Sequence, residues 1–196
     1  MAIHPLGLID WSDGPEAQRI IRATVKRLDQ YGPDYWTGYS YAWLGNMKAR
    51  MFDGEGAAKA LRTFAECFCL KNTFHANGDQ SGTGKSLFTY RPFTLEGNFA
   101  FAAGVQEMLL QSHTDVIQIF PAIPADWKDV SFEQLRAMGG VLVSASMKNG
   151  KVNEVRICSE VGGDLTLGIP KGMGQRDTIQ VHAPKGKWIS VDLGNR

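Results

Sequence analysis

The sequence predicts an α+β chain of more than one domain, in which helices come first and strands follow. Apolar residues recur at helical spacing through the first 114 residues, whereas short β-branched runs bounded by turn residues make up the rest. Because the two kinds of segment do not alternate, their order is typical of an α-domain joined to a β-domain rather than of a doubly wound sheet. We therefore predict a helical domain over residues 1–114 and a β-sandwich-like domain over residues 115–196.

Three helices are predicted before residue 70. The first begins at Ser12-Asp13-Gly14-Pro15-Glu16, which offers a capping side chain and then Pro and Glu in the first turn. It ends at Gly32-Pro33. The second covers residues 40–52 and the third residues 57–68, with the turn Asp53-Gly54-Glu55-Gly56 between them.

The fourth helix, over residues 99–113, is apolar on nearly all sides in its first half. Such a helix is normally buried among other helices, and the four helices do not close a bundle by themselves. It follows an irregular stretch, residues 71–97, that is rich in Gly, Asn, Thr and Ser. Irregular segments of that length are usually functional or disordered. The aromatic run at residues 87–93 favours an ordered, functional loop.

The β-part begins with a strand at residues 116–120 that stops at a proline. Asn149-Gly150 between the apolar runs 140–147 and 151–157 predicts a tight hairpin. Further strands are expected near 164–169, 178–182 and 187–193, which would complete an antiparallel domain.

Composition excludes several classes of function. A net charge of +1 gives no basic patch for nucleic acid, and the apolar runs are too short to cross a bilayer. The first residues lack the basic and apolar stretches of a signal peptide. Cys67, Cys69 and Cys158 have poor zinc spacing and are expected to be free, buried thiols. We expect no nucleic-acid partner, no membrane insertion, no metal and no cofactor.

One motif looks like a phosphate-binding loop. Residues 82–86 read GTGKS, but a P-loop needs its first glycine at position 79, where this chain has Asp79. An aspartate there would repel phosphate, and neither the preceding strand nor the following helix is predicted. The segment is interpreted as a flexible polar loop.

The most informative segment is residues 93–112, which read FTLEGNFAFAAGVQEMLLQS. Residues 37–43 read TGYSYAW, residues 120–127 read FPAIPADW and residues 135–140 read LRAMGG. In the same order, these blocks resemble the FQIDGNFG and AGIxEMLLQS, TGWSxAW, LPALPxxW and LRARGG blocks of glycoside hydrolase family 95. Several blocks with matching spacing make the resemblance specific, and it covers about residues 1–165.

The resemblance implies an exo-acting α-L-fucosidase or α-L-galactosidase that inverts the anomeric carbon. The family's catalytic domain is an (α/α)6 barrel with a β-domain after it, so residues 1–114 are expected to be the C-terminal part of such a barrel. Met1 is then an internal methionine of a longer, exported (periplasmic or extracellular) enzyme whose general acid lies upstream. On this interpretation the isolated chain is inactive, and it self-associates through the exposed barrel face.

Glu96 stands where the family has the aspartate of FQIDGNF, the acidic residue on the water side of the substrate. The resemblance implies that Glu96 is the catalytic base, which activates water while an acid protonates the leaving oxygen. The positive end of the following helix favours the ionised carboxylate that a base needs. The alternative is an ordinary acidic residue at a helix N-terminus. Glu in place of Asp leaves substrate and activity open.

Three residues are candidates for substrate binding. Tyr39 stacks on a sugar ring or lies in the core, and Arg91 hydrogen-bonds sugar hydroxyls or pairs with a carboxylate. Asn98 contacts the substrate or, the stronger alternative, caps the fourth helix. His75 lines the cleft or, as the stronger alternative, is solvated in the long loop.

A rival hypothesis from another class is a non-catalytic carbohydrate-binding or scaffold module that acts through the β-domain. Against it, the motifs cluster around Glu96, whereas residues 140–196 contain no row of aromatic residues and Trp188 stands alone. The partner expected under either hypothesis is an oligosaccharide or glycan, of a sugar and linkage that the sequence leaves open.

Overall fold

A computed structural model describes residues 1–172 and 175–194, and of residues 171, 172, 175 and 176 only the backbone. The chain forms two compact units, Met1–Met108 and a second that begins at Leu109. Helices occupy the first unit and strands the second, which confirms the predicted fold class. The domain bounds 1–114 and 115–196 stay a prediction, since the units divide a few residues earlier.

The first unit contains the four predicted helices, with shifted ends. Their bounds are α1 Pro15–Tyr31, α2 Gly38–Arg50, α3 Gly54–Phe68 and α4 Glu96–Leu109, and two 3-10 turns lie at Trp11–Asp13 and Pro33–Tyr35.

Three helices begin before the predicted residue: α2 begins at Gly38 rather than at residue 40, and α3 and α4 also begin earlier. The expected turn before α3 is helical from Gly54, because the Asp53 carboxylate accepts a hydrogen bond from the Gly56 amide at 2.8 Å and caps the helix. Helix α4 starts at Glu96 rather than at residue 99 and ends at Leu109, where a short strand follows. Glu96 therefore belongs to the first helical turn.

Helix α4 is attached to α2 and α3 by three different kinds of contact. The buried Asn46 amide donates to the Ala100 carbonyl at 2.9 Å, Phe64 stacks on Phe101 with ring centroids 5.5 Å apart, and the Arg50 guanidinium holds the Glu107 carboxylate through two bonds of 2.6 and 2.7 Å. These contacts fix the axis of α4, and so the direction from which its first residue projects.

The second unit is built from two four-stranded sheets, in the orders β1-β2-β6-β7 and β3-β4-β5-β8. The strands are β1 Leu110–Gln111, β2 Val116–Ile119, β3 Val130–Ala137, β4 Val141–Lys148, β5 Lys151–Ser159, β6 Gly163–Gly172, β7 Gln175–Ala183 and β8 Trp188–Ser190. Apolar side chains of both sheets share one core, among them Ile119 and Leu167 from the first and Val143 and Ile157 from the second. This arrangement is a β-sandwich.

The predicted hairpin is confirmed: β4 pairs with β5, and Asn149 and Gly150 have φ angles of 50° and 75°. Two features were not predicted. Strand β2 pairs with β6 in parallel, so the domain is largely rather than wholly antiparallel. Strand β3 was missed because a bulge at Gln134, with a φ of 54°, interrupts its alternation.

No helix in the described part of the chain is both long and apolar enough to cross a membrane.

Candidate active site at the start of helix α4

The irregular segment between α3 and α4 is an ordered excursion. Its outgoing and returning arms are joined by backbone hydrogen bonds from Asn77 to Pro92, at 3.2 Å, and from Gly78 to Tyr90, at 2.9 Å. At the base of the outgoing arm, the Ala76 amide donates to Phe68 at the end of α3. The returning arm therefore reaches Glu96 along a path that is tied to the helices.

The tip of this segment is organised by Asp79. The buried Asp79 carboxylate accepts hydrogen bonds from the Ser81 amide, the Ser81 hydroxyl and the Lys85 amide at 2.6–2.8 Å. Burial alone would raise the pKa of Asp79, but these bonds together outweigh it, and the pKa is lowered. The amide groups that a P-loop would offer to phosphate are thus given to a carboxylate of the chain itself, and the loop is anchored rather than flexible.

His75 lies at the centre of the site, fully buried, and the prediction that it is solvated was wrong. Its Nδ1 lies 2.9 Å from both the carbonyl and the hydroxyl of Thr94. The Thr94 hydroxyl donates in turn to the Asn77 side chain at 2.9 Å. Because a carbonyl can only accept, Nδ1 carries the imidazole proton.

Two glycines make room for this imidazole. A Cβ at Gly38, the first residue of α2, would lie 2.4 Å from Nε2 of His75, and a Cβ at Gly97, in the first turn of α4, would lie 2.4 Å from Nδ1. Real side chains do not approach that closely, so only glycine fits at either position. Two helices thus begin against opposite edges of one ring.

The imidazole is held neutral. Burial lowers the pKa of His75, and the hydrogen bond to the Thr94 backbone and the negative charge of Glu96 offset this only in part.

Glu96 is the first residue of α4, and its side chain is exposed. Within residues 1–172 and 175–194 it makes neither a hydrogen bond nor an ion pair. A carboxylate with free lone pairs at the positive end of a helix can accept a proton from a water molecule. The geometry is compatible with a general base, and the assignment of Glu96 stays a prediction.

The three predicted substrate-binding residues have different surroundings. The Asn98 side chain accepts from the His75 amide and donates to the Thr73 carbonyl, both at 2.9 Å, so it ties the loop to α4 and the prediction that it caps the helix was wrong. Arg91 is exposed and donates to the Gln80 amide oxygen at 2.6 Å, so this partner is not a carboxylate. Tyr39 is half-buried, next to the glycine that touches His75.

The structure therefore bonds Asn98 to His75 and places Glu96 and Tyr39 next in sequence to the two glycines that approach its ring. It bonds Arg91 to another part of the loop. Substrate contact by Tyr39, Arg91 and Asn98 stays a prediction.

In the described residues, no three His, Cys, Asp or Glu side chains are grouped so that they could hold a metal ion. The three cysteines are free; Cys67 and Cys158 are buried as predicted, whereas Cys69 is partly exposed. Sequence reasoning missed Thr94 and misjudged His75. The available signal was a glycine at the start of each of two helices, Gly38 and Gly97. A glycine at such a position indicates that another group packs closely against the backbone, but it does not identify that group.

Comparison with known proteins gives two family matches. Residues 1–109 match the glycosyl hydrolase family 95 catalytic domain, and residues 111–192 match the glycoside hydrolase family 95 C-terminal domain. Alpha-L-fucosidase 2 of Arabidopsis thaliana is 35% identical over 160 residues, which are 81% of this chain and 18% of that protein. The chain thus spans about a fifth of the length of this relative, and its two parts match consecutive domains of one family. It belongs to glycoside hydrolase family 95.

Proposed function

We propose that this chain carries the base-bearing end of the catalytic domain, and the following β-domain, of an inverting exo-glycosidase that cleaves α-L-fucosyl or related α-L-glycosyl linkages. Family membership supports glycoside hydrolysis on a glycan substrate. The named relative is a fucosidase, which is the reason to begin the search for the substrate with α-L-fucosides.

The observation that carries the proposal is the state of Glu96. Its carboxylate is exposed and unpaired within the described residues, at the start of a helix whose axis is fixed by Asn46 and Arg50. Asp79 in the same loop provides the contrast, because its buried carboxylate is occupied by hydrogen bonds to the chain, whereas the Glu96 carboxylate remains available to a water molecule.

Inversion needs a second carboxyl group, about 6.5–9.5 Å from the base, to protonate the leaving oxygen. In the proposal this general acid belongs to a part of the enzyme outside these residues. Glu96 removes a proton from the water that attacks the anomeric carbon as the acid protonates the departing oxygen.

Glutamate carries one methylene more than the aspartate of the family's motif. An error of about 1 Å in the position of a reacting group can cost on the order of 100-fold in rate. The site must then accommodate the longer side chain, and we propose a divergent member whose sugar differs from, or includes more than, fucose.

The test is a comparison between the complete enzyme and the 196-residue chain. The complete enzyme should hydrolyse nitrophenyl α-L-fucoside or α-L-galactoside, and proton NMR of the first-formed sugar should show the inverted β-anomer. The isolated chain should release no nitrophenol. Turnover by the isolated chain, or a first product with retained configuration, contradicts the proposal. A complete enzyme that binds glycans without cleaving them favours the rival hypothesis of a non-catalytic module.

Self-association is a further part of the proposal. Large apolar side chains next to Glu96 are exposed in this chain, among them Phe93, Leu95 and Phe99, the last with 67% of its surface accessible. Exposed apolar patches of this kind favour association. Light scattering of the isolated chain should show oligomers that grow with concentration, and a strict monomer would contradict this expectation.

A further inference from the structure

We propose that His75 is a positioning residue for Glu96: it holds the backbone on both sides of the catalytic base, so that the carboxylate of Glu96 projects in one direction. The inference rests on the proposed role of Glu96 as the base and assigns its geometric support to a residue that contacts no substrate.

The first argument is that His75 contacts the chain both before and after the base. Its Nδ1 bonds to the carbonyl and the hydroxyl of Thr94, two residues before Glu96. Its ring packs against the backbone of Gly97, the residue after Glu96. Its own backbone amide donates to the Asn98 side chain at 2.9 Å. Of the two residues before and the two residues after Glu96 in the sequence, His75 therefore contacts three.

The second argument is that the ring itself cannot move. His75 is fully buried between Gly97 and Gly38, and Phe64 packs on it with ring centroids 5.2 Å apart. Thr94 is in turn bonded to Asn77, which is itself fixed to α2 by the hydrogen bond from the Gly38 amide to the Asn77 carbonyl at 3.2 Å. The imidazole of His75 thus links the position of the first turn of α4 to that of the first turn of α2.

The third argument is that Glu96 has no side-chain partner of its own in the described residues. The Glu107 carboxylate, by contrast, is positioned by direct bonds from Arg50. Within the described residues, the position of Glu96 is therefore set through its backbone, and at the first turn of α4 the contacts that hold this backbone are those around His75.

The consequence for catalysis follows from the sensitivity of rate to distance. If the loss of His75 lets the Glu96 carboxylate shift by about 1 Å, kcat should fall on the order of 10- to 100-fold. The Michaelis constant should change little, because the His75 side chain is fully buried and does not reach the surface at which a sugar would bind. A residue that only stabilises the fold would lower the amount of folded enzyme and leave the kcat of the folded fraction unchanged.

The conservative variant gives a second criterion. An asparagine at position 75 places an amide N–H near the position of Nδ1 and can still donate to the Thr94 carbonyl, although it loses the ring. His75→Asn should therefore recover part of the kcat that His75→Ala loses.

The experiment measures kcat, the Michaelis constant and thermal midpoint of the complete enzyme as wild type, His75→Ala and His75→Asn, with Ile21→Ala as control. Ile21, on α1, is equally buried and belongs to a separate apolar cluster, so its truncation destabilises the helical unit without removing a contact of His75. We expect kcat to decrease 10- to 100-fold in His75→Ala, less in His75→Asn and not in Ile21→Ala, each measured well below its thermal midpoint.

An unchanged kcat in His75→Ala, or an equal decrease in Ile21→Ala, overturns the inference. Failure of the proposed function is distinguishable, because the wild-type enzyme would then show no hydrolysis at all.

A second measurement uses the 196-residue chain and needs no activity. The Phe99 amide donates to the Leu95 carbonyl at 3.1 Å and closes the first turn of α4. Hydrogen exchange of this amide should speed up at least 10-fold in His75→Ala and much less in Ile21→Ala. Equal protection in both variants means that His75 does not hold the turn from which Glu96 projects, and this also overturns the inference.

Discussion

Replacement of Gly97 by alanine tests the packing of the candidate site most sharply. Its added Cβ would lie 2.4 Å from Nδ1 of His75 and 2.7 Å from Cγ. The ring cannot withdraw, since Gly38 lies against its other edge. Overpacking of a rigid core costs about 1–3 kcal/mol, and the better helix propensity of alanine returns about 0.5–1 kcal/mol. We expect Gly97→Ala to lower the stability of the helical unit by about 1–2 kcal/mol.

The matched control is Gly104→Ala in the same helix. There the new Cβ would meet the end of the Leu61 side chain at 2.8 Å and the Asn46 amide at 3.2 Å. The Leu61 methyl group is the end of a flexible side chain, whereas the imidazole is a rigid ring that is also bonded to Thr94. Gly104→Ala should therefore cost less than Gly97→Ala, although both substitutions gain the same helix propensity.

The assay is thermal unfolding of the 196-residue chain, followed by circular dichroism at 222 nm, which reports the helices. For a unit of this size, 1 kcal/mol corresponds to a change of about 4–8 °C in midpoint. A double-mutant cycle should show that Gly97→Ala costs less once His75 is alanine, by at least about 0.5 kcal/mol. A Gly97→Ala chain as stable as wild type, with no coupling to position 75, would refute the account of the site.

Other consequences concern single contacts. Glu107→Gln leaves the buried Arg50 charge without its ionic partner and should cost about 3 kcal/mol in urea unfolding; the exposed Glu16→Gln should change the midpoint far less. Because the pKa of Asp79 is lowered in the folded chain, its contribution to stability is full above the unfolded value of about 3.9 and disappears as pH falls through the folded value. Asp79→Asn should therefore reduce stability at pH 7 by about 1–3 kcal/mol and flatten the acid limb of the stability profile. Gly150→Ala forces a left-handed φ on alanine and should lower the free energy of unfolding of the β-unit by about 1–2 kcal/mol, which would appear as a lower thermal midpoint. An unchanged thermal midpoint would show that the turn relaxes.

The sequence predicts well where local chemistry decides the structure. Helix α1 follows from Pro15 at its start and Gly32 at its end, and the hairpin at Asn149-Gly150 follows from two residues that accept positive φ angles. In each case the signal lies within a few residues of the feature it specifies. The order of helices and strands can be predicted from the sequence for the same reason, because the signal for each element is local.

The candidate site is predicted only in part, because its construction is long-range. Glu96 is recognisable through the motif around it, but the burial of His75 depends on glycines at the starts of two helices far from it in sequence. Asn98 looks like a helix cap by local rules, yet its amide bonds to residues 73 and 75 across the loop. Strand β3 was missed because the bulge at Gln134 interrupts the alternation of apolar and polar residues by which a strand is recognised in a sequence.

The role of Glu96 can be measured directly by chemical rescue. In the complete enzyme, Glu96→Ala should reduce kcat by about 100- to 10,000-fold, the range of general base catalysis, with little change in the thermal midpoint because the side chain is exposed and unpaired. Added azide should restore part of the rate and yield a glycosyl azide of inverted configuration. A Glu96→Ala enzyme that keeps its full kcat, or one whose loss azide does not restore at all, would contradict the assignment of Glu96 as the base that activates water.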